Sequence, residues 1–150
     1  IGETVAGRGN DAWELFKKIA PMYLKDQALH KVEPYVNCQM VAGKDAAKPG
    51  EGKNSWLTGT AAWMWLTVSQ YLLGIKPAYT GLEINPCLPK DMKGYSVKRI
   101  FRGAEYSITV TNSGVQKGVK KLVVNGKEVA GNIVPMQPAG SKNTVEVILG

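Results

Sequence analysis

The sequence predicts an α+β fold with helices first and strands second, and three observations carry that expectation. Residues 10–19 space their apolar side chains at threes and fours, and residues 54–74 are apolar with no charged residue between Lys53 and Lys76. From about residue 79 onward the runs are short, rich in Val, Ile, Tyr and Thr, and separated by turn chemistry. A helical stretch over residues 1–78 and an antiparallel β-sandwich over residues 79–150 are therefore expected.

The elements follow in order. Asn10 is read as the cap of a helix that turns Ala12, Trp13, Leu15, Phe16 and Ile19 inward and Glu14, Lys17 and Lys18 outward. Pro21 ends or kinks it. A short extended piece from Pro34 to Met40 runs into a long loop rich in Gly, Pro and Lys, ending at Asn54. The next helix is apolar on every side, which marks it as the most buried in the chain, with Trp56, Trp63 and Trp65 packed inside and Gly74 as its C-cap. Thr58, Thr60, Thr67, Ser69 and Gln70 set it apart from a membrane span. Beyond Gly74 the strands are "GLEINPCLP", "YSVKRIFRGAEYSITVTN", "VKKLVVNGKEVAGNIV" and "NTVEVIL", with hairpin turns at Arg102-Gly103 and Asn125-Gly126.

Composition narrows the function classes. With 44% hydrophobic residues in 150, the chain has enough apolar surface to form a core, and a formal net charge of +7 invites an anionic partner. Nucleic acid is not expected, because the basic residues are scattered and no RNA-binding signature is present. No membrane partner is expected either. Cys38 and Cys87 stand far apart with no ligand pattern around them and are read as buried free thiols in a reducing, cytoplasmic setting; no metal is implied. The chain opens without Met and in an apolar run, as though cut from inside a longer protein.

The start of the apolar helix raises a chemical possibility. If Thr58 is the N-cap, the N–H groups of Gly59, Thr60 and Ala61 lack helical partners and point out of the positive end. Gly59 lets an oxyanion approach, and the Thr58 and Thr60 hydroxyls add donors. Read from physics alone, the stretch is either such an anion site or an ordinary Thr-capped helix with a glycine for close packing. Gln39 is similarly either a sugar-contacting amide or a core glutamine satisfied by backbone.

Four blocks, "EPYVNCQM", "NSWLTGTAAW", "YLLGIKPAYTGLEINPCLP" and "VKRIFRGAEYSITV", resemble in order and spacing the C-terminal part of the glycoside hydrolase family 94 phosphorylases. The resemblance runs from about Glu3 to Val134. It implies that residues 1–78 are the last helices of an (α/α)6 catalytic barrel and that residues 79–150 form a jelly-roll-like sandwich. It also implies an enzyme that cleaves a β-linked disaccharide such as cellobiose with inorganic phosphate and inversion, without a cofactor, as a homodimer. On this resemblance Thr58, Gly59 and Thr60 bind phosphate and Gln39 contacts sugar. The general-acid aspartate belongs to the upstream part of the same enzyme, so no catalytic residue is expected here and the 150 residues alone are expected to be inactive.

Other polar residues receive plainer readings. Asp45 and Glu51 lie in the lysine-rich loop and are solvated carboxylates. His30 is a surface or packed histidine. Glu33 and Tyr35 either line the barrel mouth or serve structure. A non-catalytic carbohydrate-binding module is the alternative function, and it needs an exposed aromatic platform, for which the strands offer Tyr95, Phe101 and Tyr106.

Overall fold

The computed structural model describes residues 1–150, in which short helices precede a strand-rich region as expected. In chain order the elements are α1 (Gly2–Val5), α2 (Gly9–Ile19), a 3-10 turn at Pro21–Tyr23, α3 (Gln27–His30), β1 (Met40–Val41), β2 (Gly52–Lys53) and α4 (Thr60–Leu66). A π-helical segment, Thr67–Leu72, continues α4, and its i→i+5 pattern is carried on by the bond from the Leu73 N–H to the Val68 carbonyl at 2.8 Å. Then come β3 (Ile75–Pro77), β4 (Gly81–Ile84), β5 (Gly94–Phe101), β6 (Ala104–Asn112), β7 (Val119–Val124), β8 (Lys127–Val129), β9 (Ile133–Pro135) and β10 (Lys142–Leu149). They pack as two units, Ile1–Trp13 with Val68–Gly150, and Glu14–Thr67.

The first unit is a two-sheet sandwich. Five strands pair in the order β5-β6-β10-β7-β8, and three pair in the order β3-β4-β9. Alternation builds its core: Ala104, Tyr106, Ile108 and Val110 of β6 and Val145, Val147 and Leu149 of β10 are buried, and they join Leu82, Ile84 and Val134 from the smaller sheet. Each Val, Leu or Ile among them taken fully out of water contributes about 1.5–3 kcal/mol. Trp13 packs on this core from α2 and donates its indole N–H to the Cys87 carbonyl at 3.1 Å. Asn112, buried in β6, is fully engaged: its Oδ1 accepts the N–H groups of Gly114 and Val115 at 3.0 Å, and its Nδ2 donates to Met92 at 2.9 Å.

Both sequence-marked turns are present. Arg102 and Gly103 have φ of 49° and 79°, and Asn125 and Gly126 have 50° and 77°, the paired positive values of a two-residue hairpin turn. The expectation of a purely antiparallel sandwich needs correction, because β10 runs parallel to β6 over eight residue pairs, Lys142↔Glu105 to Leu149↔Asn112. The strands between them supply the long connection that a parallel pair requires.

Several helical expectations also change. Helix α2 starts at Gly9, and Asn10 does not cap it: its Oδ1 accepts the Lys90 N–H at 3.0 Å and its own N–H donates to Gln116 at 2.8 Å. Ala12 is buried as expected, but Leu15 and Ile19 are exposed. The helix expected to be the most buried has no buried residue in α4, and Trp56, Trp63 and Trp65 all face solvent. Apolar composition signals that a helix is to be covered, and within these 150 residues little covers it. Of the two free cysteines only Cys87 is buried; Cys38 is half-buried.

Candidate functional site

Every residue singled out for phosphate or sugar lies in the second unit, Glu14–Thr67. Its base is the small antiparallel pair β1–β2, with Met40↔Lys53 and Val41↔Gly52 in register, which closes the lysine-rich loop. Past β2 the backbone turns sharply. Asn54 and Trp56 take φ of 59° and 68°, a left-handed conformation that Asn tolerates and a bulky residue rarely adopts. Two side chains hold Trp56 there: its indole N–H donates to Glu33 Oε1 at 3.3 Å, and its ring lies 6.0 Å from that of Tyr35 at a 55° tilt. The Glu33 carboxyl is held below the usual carboxylate range by its own backbone N–H, with the Ser55 hydroxyl and the Trp56 indole assisting.

The turn delivers the chain to Thr58, Gly59 and Thr60. Here the structure corrects the cap: the N-cap position is Gly59, at φ −75° and ψ 3°, and α4 begins at Thr60. Thr58 stands one residue before the cap. Its Oγ1 accepts the Thr60 N–H at 3.2 Å and lies 2.7 Å from the Thr60 Oγ1, so the two hydroxyls are paired across Gly59. Nothing crowds Gly59, since the nearest atom to a Cβ built there is Trp63 Cδ1 at 3.9 Å. The result is an open helix start with two adjacent hydroxyls, a glycine between them and no carboxylate among these three residues. Such an arrangement can hold an oxyanion by neutral donors.

Gln39 is exposed and is no core glutamine. Its Oε1 accepts the Asn54 side-chain N–H at 2.9 Å and its backbone N–H donates to the Asn54 carbonyl at 3.2 Å. Its Oε1 and backbone N–H are thereby engaged, and the donors it can present to a ligand are those of Nε2. Sequence reasoning missed Asn54, whose role emerges only once β1 and β2 pair. It also missed the side-chain bond between Glu33 and Trp56, although both residues lay in the quoted blocks.

His30 is packed, one of the few buried residues of this unit. Glu51, expected to be a solvated carboxylate, is instead only partly exposed and paired with Lys31 at 3.0 Å. No group of three or more His, Cys, Asp and Glu side chains comes together to hold a metal ion, and no helix is long and apolar enough to cross a membrane. The three aromatics offered for the alternative module do not form an exposed platform: Tyr106 is buried with its hydroxyl accepting the Gln137 N–H at 3.2 Å, Tyr95 donates its hydroxyl to the Leu73 carbonyl, and Phe101 packs against the core.

A helical stretch followed by a two-sheet sandwich matches two carbohydrate-enzyme family models in turn. The Glycosyl hydrolase 94 superfamily catalytic domain covers residues 1–74, and the Glycosyl hydrolase family 65 C-terminal domain covers residues 76–130. The chain belongs to the glycoside hydrolase 94 family. It is similar to solabiose phosphorylase of Paenibacillus borealis, 40% identical over 98% of this chain and 19% of that protein. It is likewise similar to N,N'-diacetylchitobiose phosphorylase of Vibrio proteolyticus, 40% identical over 100% of this chain and 19% of that protein. A third relative, 3-O-beta-D-glucopyranosyl-beta-D-glucuronide phosphorylase of Paenibacillus borealis, is 33% identical over 99% of this chain and 20% of that protein. The chain thus spans about a fifth of the length of the curated relatives it matches.

Proposed function

We propose that this chain is the C-terminal portion of an inverting disaccharide phosphorylase that converts cellobiose and phosphate to α-D-glucose 1-phosphate and D-glucose. The observation that carries the reaction class is the match, along essentially the whole chain, to relatives that are each named as phosphorylases of a disaccharide, while cellobiose itself rests on the resemblance of the four sequence blocks. Residues 1–78 belong, in this reading, to an (α/α)6 barrel and residues 79–150 to its sandwich. The upstream part of the enzyme covers the apolar surface of Trp63 and Trp65 and supplies the general acid.

The chemistry suits the residues present. In an inverting phosphorolysis, phosphate attacks the anomeric carbon from one face while a carboxylic acid protonates the leaving oxygen from the other, so phosphate replaces the activated water of an inverting hydrolase. A second carboxylate would repel the dianion. Neutral donors at a helix start, the Thr58 and Thr60 hydroxyls and the Gly59 amide, hold it without that penalty, the Thr60 N–H being occupied by Thr58 Oγ1. Gln39, braced by Asn54, presents an amide to a sugar hydroxyl.

The test is phosphorolysis by the full-length enzyme with cellobiose, solabiose and N,N'-diacetylchitobiose in turn. Glucose 1-phosphate from cellobiose with the highest kcat/KM is the expected result, and the 150 residues alone should release none. Absence of sugar 1-phosphate from every disaccharide would overturn the reaction class, and a clear preference for another disaccharide would overturn the substrate alone.

A further inference from the structure

The second unit contains a cleft of about 340 Å³ lined mainly by apolar side chains, among them Ile19, Leu24, Val36 and Val41, and reached also by Thr60. Two groups of a different kind meet in its wall. His30 is 6% exposed, and its Nδ1 lies 3.1 Å from the Gly50 carbonyl. A carbonyl only accepts, so Nδ1 carries the proton, and the lone pair of the neutral ring is on Nε2. That nitrogen faces Cys38 Sγ at 3.9 Å. Both residues line the cleft, and Cys38 is half-buried, not sealed.

The approach depends on a missing side chain. A Cβ at Gly52 would stand 3.0 Å from His30 Cε1 and 3.1 Å from Cys38 Sγ. Lys18 is the one charged residue lining the cleft, and no carboxylate does; Lys31 and Glu51, next in the chain to His30 and Gly50, neutralise one another. A sulfur anion formed here therefore meets no repelling charge from the cleft wall.

We propose that Cys38, with His30 as its proton acceptor, is a reactive thiol and a modification site for small uncharged electrophiles and hydrogen peroxide. The Sγ proton passes to His30 Nε2 as sulfur attacks. With a maleimide, the Sγ–C bond forms, the C=C pair moves to the neighbouring carbon, and that carbon takes the proton back from Nε2. With peroxide, the Sγ–O bond forms as the O–O bond breaks, sulfur is oxidised to the sulfenic acid, and the departing hydroxide leaves as water with the Nε2 proton. The thiol's reactivity does not depend on the phosphate and sugar assignments, although Thr60 borders the same cleft. The chain's other thiol is a built-in reference, because Cys87 is fully buried and burial pushes its pKa up.

The experiment is N-ethylmaleimide labelling of the native full-length enzyme, with Cys38 and Cys87 followed as separate peptides by mass spectrometry. Cys38 should react at least about tenfold faster than free N-acetylcysteine at the same pH, and Cys87 far more slowly. His30→Gln, which removes the proton acceptor, should slow Cys38 about tenfold or more. Gly52→Ala, whose Cβ would press on both His30 Cε1 and Cys38 Sγ and disturb their approach, should do the same, and it provides the readout if His30→Gln fails to fold. Labelling of Cys38 no faster than N-acetylcysteine overturns the proposal, as does a rate unchanged within about twofold in a folded variant.

Discussion

Asn54 and Gln39 are bonded twice, side chain to side chain at 2.9 Å and carbonyl to N–H at 3.2 Å, so the amide proposed to meet sugar is fixed by a residue fifteen positions away. A buttressed side chain gives up less freedom when it binds. Gln39→Ala in the full-length enzyme is predicted to lower kcat/KM for the disaccharide by about tenfold or more, the equivalent of one hydrogen bond with its partner left unpaired. Asn54→Ala should lower it less, and neither should change the KM for phosphate much. Steady-state kinetics with each substrate varied in turn checks this, and an unchanged disaccharide kcat/KM in Gln39→Ala contradicts the assignment.

A second prediction concerns the uncovered apolar surface. Trp63 and Trp65 are 64% and 70% exposed, and Trp56, Leu57 and Tyr35 are exposed as well. Exposed large apolar side chains in this number mark surface that another segment covers. The isolated 150 residues should bind a hydrophobic dye such as ANS and emit tryptophan fluorescence at long wavelength, whereas the full-length enzyme should do neither. Equal dye binding by the two proteins would contradict the packing of an upstream segment around α4.

The hairpin turns were legible because their signal is local: Asn125-Gly126 and Arg102-Gly103 declare positive φ in two residues. The alternation of β6 and β10 was legible for the same reason, since period two needs no partner. Their parallel pairing was not. It joins strands whose first residues, Ala104 and Lys142, are separated by two other hairpin partners and a third strand in the other sheet. At the site, the Thr58-Gly59-Thr60 stretch could be located but its cap was misplaced by one residue, because the Thr58 hydroxyl is held by Thr60. The pairing of His30 with Cys38, and the bracing of Gln39 by Asn54, were hidden because no periodicity or motif relates residues in irregular loops.

A third prediction isolates turn strain in the sandwich. Gly126 has φ of 77°, and nothing lies within 4 Å of a Cβ built on it. Any cost of Gly126→Val is therefore conformational and not a clash, and it should be about 1 kcal/mol or more. Denaturant unfolding of the full-length enzyme should register the loss while phosphate kinetics stay unchanged. A variant as stable as the wild type would contradict the type I′ assignment. The neighbouring Asn125 is fixed differently, its Oδ1 accepting the Thr144 N–H at 2.9 Å and its Nδ2 donating to Asn143 Oδ1 at 2.9 Å, so Asn125→Ala should also destabilise, by about 1 kcal/mol.

The central claim is that Thr58, Gly59 and Thr60 receive phosphate, and it rests on two hydroxyls 2.7 Å apart at an open helix start. Hydrogen bonds to a charged group contribute roughly 1.5–3 kcal/mol each, so Thr58→Ala should weaken phosphate about ten- to a hundredfold, and Thr58→Val, which keeps the volume, should match it. Gly59→Val should do more harm, because its branches would occupy the open space beside the two hydroxyls where the phosphate is proposed to sit. The direct measurement is the kinetics of full-length Thr58→Ala with phosphate varied at fixed cellobiose, and of the reverse reaction with glucose 1-phosphate varied at fixed glucose. A raised KM and lowered kcat/KM for both phosphate-bearing substrates, with the KM for glucose nearly unchanged, is the predicted result. A phosphate kcat/KM within about twofold of wild type in a correctly folded variant would contradict the account and leave this helix start as a hydroxyl-braced turn alone.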